Sequence, residues 1–203
     1  KDNYESISNF CPEKTIISTG LSKWCGAGGW RLGYFILPES LKKITDTLNI
    51  LASETFSSVS APIQYAAIQA YEGDHSEYIK SSKNILKAVG TYVYENLNSN
   101  KILINKPEGG FYLMPELITN KYNTSSEMCN DILEDTGVAL LPGSDFGFGK
   151  KKMIVRLSFT DFNGRNFMQE YKKKHQIDID LISKYAAKVV EGVDKLKKWS
   201  EKI

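Results

Sequence analysis

Lys23 and Arg31 stand eight residues apart on either side of a glycine-rich turn. Lys23 follows the run Thr15-Ile16-Ile17-Ser18-Thr19, and Arg31 opens a second apolar run that ends at Leu37. A lysine in an apolar pocket is hard to protonate, because burial penalises the charged form. Its neutral amine is then a nucleophile toward an aldehyde. Arginine keeps its charge, and its planar fork of donors matches a phosphate. Gly26, Gly28 and Gly29 permit close backbone approach between the two, and Ser22 adds a hydroxyl on the phosphate side. An aldehyde that carries a phosphate and reacts with lysine is pyridoxal phosphate. For an isolated pair of this spacing the plainer reading is a solvated lysine and a surface charge, so the rest of the chain must decide.

Residues 15–19 and 31–37 read as short buried strands that bracket the turn. Glu39 to Ile50 reads as a helix with Leu41, Ile44, Leu48 and Leu51 on one face, followed by a polar loop over 53–60. Pro62 suits a helix start, Ile63 to Tyr71 continues it, and Gly73 ends it. Helical spacing then runs from Asp74 to Leu97 and breaks at Asn98-Ser99-Asn100. Ile102–Ile104 and Phe111–Met114 read as a hairpin-like pair about the turn Pro107-Glu108-Gly109-Gly110. A helix over 126–135, a strand over 138–141 and a strand over 153–159 follow. Arg165 falls in what reads as a polar turn. A last amphipathic helix runs from Ile179 to the C-terminus, with Ile182, Ala186, Val189, Val193, Leu196 and Trp199 on its core side. The chain divides into residues 1–74, the end of a larger α/β domain, and residues 75–203, a small α+β domain led by a long connecting helix over 75–97.

The chain has 203 residues, 41% hydrophobic and 25% charged, ordinary values for a globular protein. A net charge of +2 gives no long-range pull toward nucleic acid or an anionic membrane, and neither is expected as a partner. No apolar run approaches the ~20 residues needed to span a bilayer. Cys11, Cys25 and Cys129 are widely spaced, with no paired-cysteine motif, and His75 and His175 stand far from each other and from any cysteine. That pattern predicts no metal site and a reduced compartment. The expected location is the cytoplasm, or an organelle matrix after loss of a targeting segment.

The segment from Gly20 to Gly33 resembles the cofactor-attachment motif of the class I/II pyridoxal-phosphate aminotransferases. Gly20, Leu21, Ser22, Lys23, Gly26, Ala27, Gly29, Arg31, Leu32 and Gly33 fill it without a gap. The resemblance continues through Ser58–Ala67, Pro107–Tyr112, Leu141–Gly147 and Ile154–Phe159. It implies an α/β fold, the C-terminal part of a fold type I pyridoxal-phosphate transferase: the end of the large-domain sheet plus the small α+β domain. It implies pyridoxal 5'-phosphate as cofactor, bound by Ser22, Lys23 and Arg31. Lys23 would be the catalytic residue, holding the cofactor as a Schiff base and later moving a proton. Arg156 would grip the substrate α-carboxylate, and Phe111 would border the substrate. The implied activity is transfer of an amino group between an amino acid and a 2-oxo acid, by a homodimer.

Other parts of the family's site have no counterpart here. An acidic partner for the pyridinium nitrogen and a tyrosine three residues later should precede the lysine. Only Asp2 and Tyr4 stand nearby, at the wrong spacing. The chain therefore reads as the C-terminal half of such an enzyme, weakly active or inactive alone. Two alternatives stay open: another enzyme of the same fold (a C–S lyase, a decarboxylase, an aminocyclopropane-carboxylate-forming lyase), or a truncated non-catalytic dimerisation module. With only Arg31, Arg156 and Arg165 present, the substrate reading leans to a neutral or aromatic amino acid, or to broad specificity.

Overall fold

The computed structural model describes residues 5–203; Asp2 and Tyr4 lie outside the described residues. Two compact units divide the chain between His75 and Ser76.

The first unit is built on an antiparallel pair, β1 (Ile17–Gly20) and β2 (Gly33–Ile36), in register from Ile17↔Ile36 to Gly20↔Gly33. Two helices follow, α1 (Lys42–Thr55) and α2 (Ala61–Glu72). Helix α1 runs into the stretch expected to be a polar loop: Thr47, Ser53 and Thr55 bond back to carbonyls in their own helix and so remain compatible with it. Pro62 sits in the first turn of α2, where its missing N–H costs nothing. The buried core here is small: Leu21, Ala67 and Ala70, with Trp24, Cys25, Ala27 and Leu32 against them. The strands are not buried as expected. Phe35 is 59% and Ile36 50% exposed, because a two-stranded ribbon has no further layer among the described residues to cover its faces. Ile44, Leu48 and Leu51 of α1 are exposed as well.

The second unit carries the main core. Helix α3 (Ser76–Leu97) places Ile85, Val89, Val93 and Leu97 on one stripe, each four residues from the last, and all four are buried. Three short strands then appear: β3 (Ile102–Leu103), β4 (Tyr112–Leu113) and β5 (Glu116–Leu117). The expected hairpin between Ile102–Ile104 and Phe111–Met114 does not form. Strand β3 pairs with β5, and β4 pairs with β7 (Val155–Ser158), which also pairs with β6 (Leu141–Pro142). The sheet order β4-β7-β6 puts the last strand in the centre, so Val155 and Leu157 can reach the core. The expected strand over 138–141 is shifted toward Pro142.

Helix α4 (Ser125–Thr136) starts where the Thr124 side chain accepts from the Glu127 N–H and the Glu127 carboxylate accepts from the Asn123 N–H. Helix α5 (Gly164–Lys174), capped by Asn163, was not anticipated, and Arg165 lies in its first turn rather than in a polar loop. Its polarity hides it, since only Phe167 and Tyr171 are buried. The last expected helix is two: α6 (Ile179–Tyr185), capped by Asp178, and α7 (Ala187–Ser200). Ala186 leaves helical geometry between them at φ −117° and is fully buried. The stripe Val189, Val193, Leu196 and Trp199 is core, as its spacing indicates. Trp199 stacks on Tyr122 at 6.1 Å, and Lys202 pairs with Asp135 at 2.8 Å, which docks α7 on α4.

Candidate functional site

The loop between β1 and β2 is shaped by one buried side chain. Leu21 is fully buried against Ala67 and Ala70 of α2, a contribution of about 2 kcal/mol by transfer out of water. Its N–H donates to the Leu32 carbonyl at 3.3 Å, and its own carbonyl accepts from the Ala27 N–H at 3.2 Å. The Gly26 N–H then donates to the Lys23 carbonyl at 3.2 Å, which closes the turn. Trp24 is pinned on the other side, its ring 5.6 Å from Tyr71 and 6.0 Å from His75. Tyr34 packs edge-on to Tyr71 at 5.5 Å, and the hydrogen bond between the two hydroxyls pushes the Tyr34 phenol up to about 12.

With Leu21 facing inward, Ser22 and Lys23 are left on the outer side of the turn. Lys23 is exposed rather than set in an apolar pocket, because Leu32 is the one large apolar side chain in the recess around it. That recess, about 290 Å³, is lined by Thr19, Ser22, Lys23, Arg31 and Leu32 with the two strand-end glycines. Lys23 and Arg31 therefore border one space. Arg31 adopts left-handed backbone angles, φ 52° and ψ 43°, a conformation that costs a non-glycine residue about 1 kcal/mol or more. Its Nη1 donates to the Gly28 carbonyl at 3.0 Å, so the guanidinium is held against the glycine turn. A guanidinium has five donors, and one such bond leaves capacity for an anion. Two larger hollows, about 590 Å³ beside Tyr34, Ile68 and Tyr71 and about 530 Å³ beside α3 and Tyr171, contain no lysine–arginine pair.

Arg156 belongs to the second unit. Strand β7 alternates, with Val155 and Leu157 in the core, so Arg156 faces the other side of the sheet. Tyr112 on β4, paired with Ser158, shares that side. The Arg156 guanidinium carbon lies over the Tyr112 ring at 4.5 Å and over the Phe146 ring at 4.4 Å. Among the described ion pairs none involves Arg156. Phe111 packs on Tyr112 at 4.5 Å, next to this group.

The structure thus gathers Ser22, Lys23 and Arg31 at one recess and puts Arg156 on the side of the small sheet that Tyr112 shares, whereas Phe111 packs against the core. The two rings against Arg156 come from the segments Pro107–Tyr112 and Leu141–Gly147, where spacing along the chain gives no sign of what Tyr112 and Phe146 face. No cluster of three metal-ligating side chains occurs among the described residues, and no described helix is long and apolar enough to cross a membrane.

Residues 2–167 match the family model described as "Aminotransferase class I and II". The chain is 34% identical over 156 residues to a protein of Bacillus subtilis named probable N-acetyl-LL-diaminopimelate aminotransferase, covering 76% of this chain and 38% of that protein. It is 33% identical over 148 residues to an aspartate aminotransferase of Thermotoga maritima, covering 73% and 36% of the two chains. The solved structure of an alanine aminotransferase from Pyrococcus furiosus superposes with a TM-score of 0.66 at 28% identity, over 93% of this chain and 42% of that one. The chain spans about two fifths of the length of the curated relatives it matches.

Proposed function

The chain belongs to the aminotransferase class I and II family and has the fold of a C-terminal portion of the fold type I enzymes; on that premise we propose that the protein moves an amino group between an amino acid and a 2-oxo acid, with pyridoxal 5'-phosphate as its cofactor. Family membership implies that cofactor in general, and the recess on the β1–β2 turn supports it for these residues. Lys23, whose amine suits the aldehyde, and Arg31, whose guanidinium suits the phosphate, line the same recess of about 290 Å³. That shared recess is the observation that carries the reading.

In this reading Lys23 holds the cofactor through Nζ, while Arg31 and Ser22 take its phosphate. When bound, pyridoxal phosphate supplies the electron sink for charge at the substrate α-carbon. Lys23 Nζ, once released from the cofactor, would act as general base and acid at the substrate α-carbon. Arg156 binds the substrate α-carboxylate through paired in-plane hydrogen bonds, and Phe111 borders the substrate. Residues 1–74 would be the end of the large cofactor-binding domain, residues 75–203 the small domain, and the protein a homodimer. With the partner for the pyridinium nitrogen unassigned in this chain, little or no turnover is expected from the 203 residues alone.

The test is reductive trapping. The purified chain is incubated with pyridoxal phosphate, reduced with borohydride, digested and mapped by mass. Pyridoxyl label concentrated on Lys23 and diminished in Arg31→Ala is the expected result. Label spread evenly over the lysines, unchanged by Arg31→Ala, would overturn the assignment of the recess.

A further inference from the structure

We propose that Tyr112 and Phe146 are positioning residues: their rings clamp the Arg156 guanidinium so that it presents its donor edge to the carboxylate of a small 2-oxo or amino acid. The proposal rests on the carboxylate-binding reading of Arg156 and adds how that cation is held.

Three elements converge to make the clamp. Strand β7 supplies Arg156, and β4 supplies Tyr112 on the same side of the sheet. The turn after β6 supplies Phe146. That turn is set by two glycines. A Cβ on Gly143 would lie 2.8 Å from the Ile154 carbonyl oxygen, so only glycine lets the turn leave the sheet this closely. Gly147, at φ 86°, ends the short helical turn with a left-handed residue directly after Phe146.

Both rings stand within the ~6 Å at which a cation is attracted to an aromatic face; the distances are 4.5 and 4.4 Å. Tyr112 is itself packed on Phe111, with ring centroids 4.5 Å apart. A guanidinium's hydrogen-bond donors lie in its plane, along its edge. Rings this close shed water from the sides of the guanidinium they cover and restrict its rotamers. A carboxylate binds such an edge with two parallel hydrogen bonds. Ordering the arginine before the ligand arrives lowers the entropy lost on binding. A half-buried arginine with no described carboxylate partner is left with a charge that a ligand can satisfy.

The chain has three arginines, so its Nε–Hε NMR signals reduce to Arg31, Arg156 and Arg165. Arg165, in the first turn of α5, is the internal reference. The ¹⁵N-labelled 203-residue chain is titrated with sodium pyruvate, replacing sodium chloride at constant ionic strength. We compare wild type with Tyr112→Leu, Phe146→Leu and Tyr112→Phe. Tyr112 and Phe146 are 37% and 40% exposed, so neither leucine change empties the core, and each is tested singly so that one alone decides. In the ligand-free wild type the Arg156 signal is expected to be shifted upfield by the rings relative to Arg165. Pyruvate is expected to move Arg156 and not Arg165, and either leucine variant to weaken that response about three- to tenfold. Tyr112→Phe, which keeps the ring, is expected to match wild type. If Arg156 responds to pyruvate equally in all variants, the clamp is overturned while the carboxylate role stands. If wild-type Arg156 does not respond at all, the carboxylate role falls and the clamp with it. If no upfield shift is present, the rings do not hold the guanidinium.

Discussion

Gly20 and Leu32 meet so closely that a Cβ on Gly20 would lie 2.7 Å from the Leu32 carbonyl oxygen and 3.1 Å from the Gly33 Cα. This contact closes the β1–β2 ribbon just before Lys23, and both atoms that would clash are backbone. Gly20→Ala is therefore expected to force the strands apart, at a cost of about 1–3 kcal/mol typical of overpacking. Urea unfolding of the first unit would read the loss, and borohydride labelling of Lys23 should fall with it.

Arg31 combines the proposed phosphate-binding cation with a left-handed backbone, and two substitutions separate these contributions. Arg31→Ala and Arg31→Gly both remove the guanidinium, so both should weaken pyridoxal-phosphate capture at Lys23. Only glycine relieves the backbone. Arg31→Gly is expected to be more stable than Arg31→Ala by about 1 kcal/mol, measured by urea midpoint at equal slope.

Burial pushes the Cys129 thiol up to about 11, with the nearby Asp145 charge adding to it. The thiolate is the reactive form, so Cys129 should resist iodoacetamide at pH 8. Cys11 and Cys25 are only half-buried and should label first. Peptide mapping before and after denaturation checks this: Cys129 is expected to label at full rate only once the second unit unfolds.

The Tyr122 hydroxyl donates to Asp131, and that bond is the largest cause holding the Asp131 carboxyl below its ordinary value of 3.8; Lys121, 3.4 Å away, acts in the same direction. A carboxyl lowered by folding stabilises the native state above its unfolded pKa, and this support is lost as pH falls through the lower, folded value. The wild type should therefore exceed Asp131→Asn in stability at pH 6–7, and the gap should close as the pH falls below about 4. The difference is expected to be small because the pair is exposed. Thermal melts of both chains across this range, read by circular dichroism, would test the sign.

Much of the candidate site was legible because it is local. The amine, the glycines and the guanidinium lie within a dozen residues, and a turn of that length can bring its own ends together with little loop-closure cost. The stripes on α3 and α7 were legible for a similar reason: a helix repeats its buried face every three or four residues, so Ile85–Leu97 and Val189–Trp199 can be read without knowing their partners. Helix α5 escaped because a helix that buries only Phe167 and Tyr171 shows little stripe.

Sequence alone determined the residue types offered on the first turn, the family to which the chain belongs and most of its helices, since each is written in neighbouring residues. Tertiary structure decided how the strands pair and what surrounds the two cations. The choice of β7 rather than β3 as the partner of β4 joins residues more than forty positions apart and is set by which strand can send Val155 and Leu157 into the core. That choice alone brings Tyr112 beside Arg156, and the turn at Gly143 brings Phe146. The exposure of Lys23 is likewise a property of what packs around it, which no spacing along the chain specifies.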